Sequence, residues 1–438
     1  MTLPTIRPPA SVDVHSGPLL LSGIDRGPGL AAHRARLGAL PEPGIQSLVS
    51  LLEDVAVRGR GGAGFPLARK LQTVVRARGS RAIGGRRPYV VVNAAEGEPA
   101  SAKDSALLDV APHLVLDGAV VAARALGARE IHVVSSEDRP WVGAAVHRAT
   151  TERDDHGITW VQHEAASRFV AGQSRALIEL MAGRPGLPVT SWAPEAIDGH
   201  RRRPTMLSNA ESFAHLAAVV LWGVDAYAGH GTPDEPGTSL LTLTTPPGRD
   251  GVFRDVHVVE VEHGAAASVV LEPESLRSPL LVGGFHGSWV HPRDVPSLHW
   301  SNEVLGEVGA RLGAGSLLSL SDGACPVWET SRYTAYLARE SAGRCGPCRN
   351  GLPAMADEMR GLADGADTRR RLRELAGLVT GRGACAHPDG TARLVGSLLT
   401  TLDDHVEAHL DGACGCRGRD PRGERPVHRR RRRLAVRR

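Results

Sequence analysis

Gly59, Gly61, Gly62 and Gly64 crowd six consecutive positions and lead into Phe65, Pro66 and Lys70. Glycine reaches φ > 0 without strain, so such a loop can turn its backbone N–H groups toward a phosphate. A helix starting at about Pro66 would aim its positive end at the same anion. Lys70 and Lys103 are the only lysines among 52 basic side chains, so arginine fills every other basic position. A compact ammonium is then expected where a planar fork cannot substitute. The plainer alternative is a glycine turn with a solvated lysine. Lys103 follows a second chemical run, Asn93-Ala94-Ala95-Glu96-Gly97-Glu98-Pro99. Carboxylates in a loop after a strand can bind ligand hydroxyls at the carboxyl edge of an open α/β sheet, against the alternative of a solvated acidic loop.

Six cysteines fall late in the chain, at 325, 345, 348, 385, 414 and 416. Cys345-Gly346-Pro347-Cys348 is a C-x₂-C pair ahead of a helix, a spacing that grips an iron cluster or a zinc ion. Cys385 follows in Gly383-Ala384-Cys385-Ala386-His387. Three thiolates leave a cubane one ligand short, with Cys325, Cys414 and Cys416 as spare candidates. A zinc site combining Cys345, Cys348, Cys414 and Cys416 is a second reading, and unligated thiols a third. His387 reads as an exposed histidine, with replacement of a missing thiolate as the sharper alternative.

These groups need a scaffold to bring them together. Residues 1–40 are rich in proline and glycine and read as a mobile extension. From there to about 228 the pattern is α/β. Tyr89–Asn93 and Glu130–Ser135 read as strands, with helix between them to Gly127. The most apolar helix, His113 to Ala128, is interrupted by Asp117 and Arg124. Short strands follow at Leu240–Thr245, Arg254–Val261, Ser268–Leu271 and Ser288–Val290. Helices are then expected at Ser331–Ser341, Gly351–Ala363, Thr368–Val379 and Thr391–His409. The division is 1–40, 41–228, 229–312, 313–416 and a basic tail, 417–438.

The net charge of +4 belongs to that tail, whose arginines contribute a local +9 and leave the body at −5. Its contact with nucleic acid or an anionic membrane is electrostatically allowed, but without interleaved aromatics it does not read as a base-stacking platform. The sequence shows no signal-peptide pattern and no run of apolar residues long enough for a membrane span, so a cytoplasmic protein is expected.

Arg58–Lys70, Asn93–Asp104, Gly183-Arg184-Pro185-Gly186, Pro204–Ser212 and Glu340–Gly351 occur in an order that resembles the flavin-carrying, NADH-oxidising subunit (51 kDa type) of respiratory complex I. The likeness extends to its relatives in soluble hydrogenases and formate dehydrogenases and covers about residues 45–412. It implies an FMN-binding α/β domain, a β-grasp (SLBB-like) domain and a C-terminal helical iron–sulfur domain. On that resemblance the FMN loop falls on Gly61, Gly62, Gly64 and Lys70, with Asn93 and Asn209 near the flavin. Phe65, Glu96 and Glu98 fall on nucleotide contacts, and the 4Fe-4S thiolates on Cys345, Cys348 and Cys385. Four departures mark a divergent paralogue. Ala95 replaces an aspartate, Gly172-Gln173-Ser174 replaces Gly-Glu-Glu, Ser208 replaces an asparagine and Ala342 replaces the first cluster cysteine. The implied activity is NADH oxidation through FMN, with electrons passing to the cluster and a ferredoxin-like or thioredoxin-fold partner. No side chain is required as acid or base in hydride transfer. The alternatives are a non-catalytic assembly protein that kept the fold, and a zinc-stabilised adaptor.

Overall fold

The computed structural model describes residues 6–9, 11–79, 85–320 and 323–416. The tail at 417–438 lies outside the described residues. Ten strands are numbered in chain order: β1 Asp13–Val14, β2 Tyr89–Ala94, β3 Glu130–Ser136, β4 Thr159–Ala165, β5 Thr205–Asn209, β6 Thr238–Thr244, β7 His257–Glu262, β8 Leu280–Val282, β9 Ser288–Val290 and β10 Ser316–Ser319. They form two sheets.

The first sheet is four-stranded, in the order β4-β3-β2-β5, and every pair is parallel. Its β2 strand is a β-branched run buried on both faces, as a parallel sheet covered by helices requires. The helix Pro112–Leu126 crosses Ala210–Trp222, and Gly118 makes the approach possible because a Cβ there would strike the Phe213 carbonyl. Asp117, on the former helix, is fully buried. It is held by Arg34 at 2.6 and 2.8 Å, Arg153 at 2.7 Å and His33 at 2.8 Å. Two of these partners come from the N-terminal segment, which is therefore built into the fold. The same segment is pinned again where Glu260 of β7 accepts the amides of Leu19, Leu20 and Leu21 at 2.8–3.1 Å.

The second sheet is mixed and six-stranded, in the order β1-β7-β6-β10-β8-β9. Two of its strands come from outside the 229–312 span: β1 from the N-terminal segment and β10, which pairs parallel with β6 and antiparallel with β8. The segment expected as a strand at Ser268–Leu271 holds instead the 3₁₀ turn Ala267–Val269.

Beyond β10 the chain is helical: Pro326–Arg339, Leu352–Ala363, Arg369–Val379, His387–Thr401 and Asp403–Leu410. The last two were expected as one helix. They break at Leu402, and Asp403 and Asp404 start the second with negative charge in its first turn. Among the described residues no single helix is long and apolar enough to cross a membrane.

Candidate flavin and cluster sites

The glycine run forms a closed loop. Gly59 N donates to Phe65 O at 2.9 Å, Leu67 N to Val57 O at 2.9 Å, and the helix Leu67–Gly79 begins directly after. Gly62 and Gly64 take φ of +91° and +61°, which other residues rarely adopt. Ser212 Oγ accepts the Arg60 amide at 2.8 Å and Thr238 O accepts from the Arg60 guanidinium at 2.8 Å, so the helix Ala210–Trp222 and strand β6 hold the loop. A cavity of about 400 Å³ opens between this loop and residues 311–315. Arg58, Arg60, Lys103 and Arg311 line it together with Glu211, Glu235, Gly62 and Gly64. Positive groups and backbone amides on a cavity wall suit an anionic group such as the phosphate of FMN. Phe65 stands beside the loop with 47% of its surface exposed, free to stack on a ring.

The two lysines occupy different places. Lys103 is the one on the cavity wall, buried between Asp104 (2.9 Å) and Glu211 (2.8 Å), with Asn209 Oδ1 at 3.1 Å. Burial opposes its charge, yet Asp104 and Glu211 outweigh that cost and hold its pKa above the ordinary lysine value. Burial in turn pushes the Asp104 carboxyl up to about 6 despite its lysine neighbour. Lys70 donates to Leu207 O at 2.8 Å and lies 3.6 Å from Glu195. Asn209 caps the helix Ala210–Trp222 through the Glu211 amide and donates to Asp104 at 2.6 Å. Asn93 spans the next gap, donating to Gly172 O at 2.9 Å and accepting from Ala95 N at 3.1 Å.

Glu96, expected at the nucleotide, lines a cavity of about 540 Å³ with Gly97, Pro99, Tyr336 and Glu340. Its carboxylate accepts from the amides of Asp104 and Ser105, the hydroxyls of Ser101 and Ser105, and the Arg139 guanidinium. These partners use its lone pairs, and its side chain is only 4% exposed. It caps the helix Lys103–Val110. Glu98 has fewer partners: Phe285 N at 2.7 Å and Ala100 N at 3.2 Å donate to it. Burial pushes its carboxyl up to about 7, against the pull of those two amides.

Cys345 and Cys348 flank the start of a π-helical turn, and Cys385 lies just before the helix His387–Thr401. Burial, the Cys345 thiol and the charge of Cys385 push the Cys348 thiol up to about 11. Cys345 moves the other way, because the Ala384 and Cys348 amides overcome the effect of burial. Cys348 sits in a π-helical turn, Pro347–Gly351, that leads into Leu352–Ala363. His387 is buried and not exposed as expected. Its two nitrogens lie 2.8 Å from Leu337 O and 3.1 Å from His286, so neither is spare for a metal. The proposed spare thiols are also elsewhere: Cys325 precedes the 14-residue helix Pro326–Arg339 and Ala342 follows it. At 1.5 Å per residue that helix separates them by about 21 Å.

Phe169 joins the loop at Gly97, where a Cβ would strike its carbonyl, to the helical region. Its ring lies 4.5 Å from His286, 5.3 Å from His387 and 6.2 Å from Tyr336, centroid to centroid. Its amide donates to Glu340 at 3.2 Å, two positions before Ala342.

The family model for the Nuo51 FMN-binding domain matches residues 52–218, and that for the NADH-ubiquinone oxidoreductase-F iron–sulfur binding region matches residues 329–409. Together they span more than half of the chain. The chain belongs to the family of the F subunit of NADH-quinone oxidoreductase. The F subunit of Mycobacterium tuberculosis is 28% identical over 393 residues, covering 84% of this chain and 85% of that protein. The NADP-reducing hydrogenase subunit HndC of Solidesulfovibrio fructosivorans is 26% identical, covering 83% and 76%. Among solved structures, an NAD⁺-reducing [NiFe]-hydrogenase in the H₂-reduced state superposes with a TM-score of 0.76 at 25% identity, covering 91% of this chain and 68% of that one. The family is one of oxidoreductases with an FMN-binding domain and an iron–sulfur region.

Arg139, Glu211 and Arg311 were not singled out from sequence. Glu211 had a signal, since it follows Asn209 at a helix start. Arg139 had none: its partner Glu96 lies 43 positions away.

Proposed function

We propose that this chain oxidises NADH through FMN and passes the electrons singly to an iron–sulfur centre on Cys345, Cys348 and Cys385. A ferredoxin-like or thioredoxin-fold iron–sulfur protein then receives them. The observation that carries this reading is the glycine-loop cavity, with Arg58, Arg60, Lys103 and Arg311 and the loop's own glycines on its wall. When bound, FMN supplies acceptance of a hydride and release of single electrons. The chain's own residues hold and orient. Gly61, Gly62 and Gly64 offer amides to the phosphate, while Arg58, Arg60 and Lys103 set a positive field. The Lys70 ammonium has three N–H groups; Leu207 O engages one at 2.8 Å and Glu195 lies 3.6 Å away, leaving N–H capacity for a flavin oxygen. Asn93 and Asn209 fix the ends of β2 and β5 beside the flavin. Phe65 and Glu98 take the dinucleotide, by stacking and by accepting ribose hydroxyls. The mixed sheet, with β10 included, is read as the β-grasp, SLBB-like domain and the helices after it as the cluster domain. The compartment is the cytoplasm, where thiols stay reduced.

The test is flavin content. FMN extracted from the purified chain should approach one per chain. Lys70→Ala should lose roughly tenfold in flavin affinity, the worth of a charge-assisted hydrogen bond. Arg78→Ala, whose side chain binds Leu126 O, should not. Absence of FMN from the unaltered chain after reconstitution contradicts the proposal.

A further inference from the structure

The remaining cysteines are gathered at the opposite end of the Pro326–Arg339 helix. Cys325 occupies its N-cap position. Cys414 and Cys416 follow the helix Asp403–Leu410, and Gly415 between them turns the chain at φ +65°. His405, on that helix, completes the group. The four ligand atoms lie within 4.8 Å of one another, and among the described residues no other such group of His, Cys and carboxylate atoms converges as tightly. His405 Nε2 is 3.6 Å from Cys325 Sγ and 3.5 Å from Cys416 Sγ. A tetrahedral zinc with Zn–S of about 2.3 Å and Zn–N of about 2.0–2.1 Å has S···N edges of about 3.6 Å.

We propose that Cys325, His405, Cys414 and Cys416 bind one Zn²⁺ ion, at a structural site separate from the iron–sulfur thiols. Three thiolates and one imidazole close a tetrahedron with no open position, the pattern of a structural and not a catalytic zinc. The ion ties residues 414–416 back to the start of the helix whose far end approaches Cys345. His409, one turn after His405, backs the site. Its Nε2 faces Ala363 O at 3.0 Å, which places Nδ1 toward Cys325 (3.5 Å) and Cys414 (3.8 Å). It stands outside the ligand set.

Zinc, iron and acid-labile sulfide are measured on the full chain after dialysis against EDTA. The proposal expects about one zinc per chain. Cys414→Ser and His405→Ala should lose nearly all of it while iron and sulfide stay unchanged. Cys345→Ser should do the reverse, and His409→Ala should retain zinc. Where a variant fails to fold, Co²⁺ added to the metal-stripped unaltered chain decides, by the intense visible bands of a tetrahedral thiolate site. Zinc lost with Cys345→Ser but kept with Cys414→Ser overturns the proposal. So do iron and sulfide that vanish with Cys414→Ser, a disulfide among these three cysteines without zinc, or Co²⁺ uptake without those bands.

Discussion

Replacing Arg139 with methionine removes the one guanidinium that neutralises Glu96 inside the protein. The two side chains are 2% and 4% exposed, so water cannot take over. Arg139 also donates to the Ser105 hydroxyl and to Ser101 O at 2.7 Å. Breaking a buried pair from one side costs roughly 3–5 kcal/mol, because the other charge stays behind unpaired. The serine hydroxyls and helix amides around Glu96 remain, so the lower end of that range is expected. Neutralising the carboxylate as well should return much of the loss. The double variant Arg139→Met, Glu96→Gln should therefore be more stable than Arg139→Met alone, with a coupling of about 2–3 kcal/mol. The pH dependence has a definite sign. Burial raises the Glu96 pKa, but Arg139 and Lys103 more than offset it and hold it below the ordinary value. That contribution to stability is present above about 4.5 and lost as pH falls through the folded value. In Arg139→Met the folded pKa rises instead, so the deficit against the unaltered chain should be largest at pH 7.5 and shrink toward pH 5. Urea denaturation followed by tryptophan fluorescence at both pH values measures the unaltered chain, Arg139→Met, Glu96→Gln and the double variant. Additive single and double variants, or a deficit independent of pH, would refute the pairing as the source of stability.

Two further outcomes follow from the sites. The Glu98 carboxyl titrates at about 7, and ribose hydroxyls favour its ionised form, so KM for NADH should rise between pH 8 and pH 6. Glu98→Gln should flatten that profile; an unchanged slope in steady-state kinetics removes Glu98 from nucleotide binding. Cys345→Ser should lose most iron and sulfide on anaerobic reconstitution whereas Cys325→Ser should keep both, because a 14-residue helix separates Cys325 from the cluster end. Iron analysis and EPR read the difference.

Local pattern carried much of this fold. The β-branched run at β2, the glycine loop before a helix and the C-x₂-C pair are each written in a few neighbouring residues, and the structure has them where the pattern puts them. What escaped depends on distant partners. β10 is the four-residue run Ser316–Ser319, too short to declare itself without β6 and β8 on either side. The N-terminal segment looked loose by composition, yet Glu260 and Asp117 hold it from far along the chain. The Arg139 partner of Glu96 lies 43 positions along the chain and was out of view. The thiols at 325, 414 and 416 could not be sorted from those at 345 and 348 by spacing alone. A local sign was present: His405 and His409 stand four apart on one helical face, a pairing suited to a metal.

On the proposed function, this chain takes electrons from NADH onto FMN and passes them to its cluster. The most direct measurement is the anaerobic visible spectrum of the reconstituted protein before and after a stoichiometric addition of NADH. Flavin bands over a broad iron–sulfur absorbance should appear first, and NADH should bleach both, with the flavin restored by a one-electron acceptor. A flavin that dithionite bleaches and NADH leaves untouched would contradict the account.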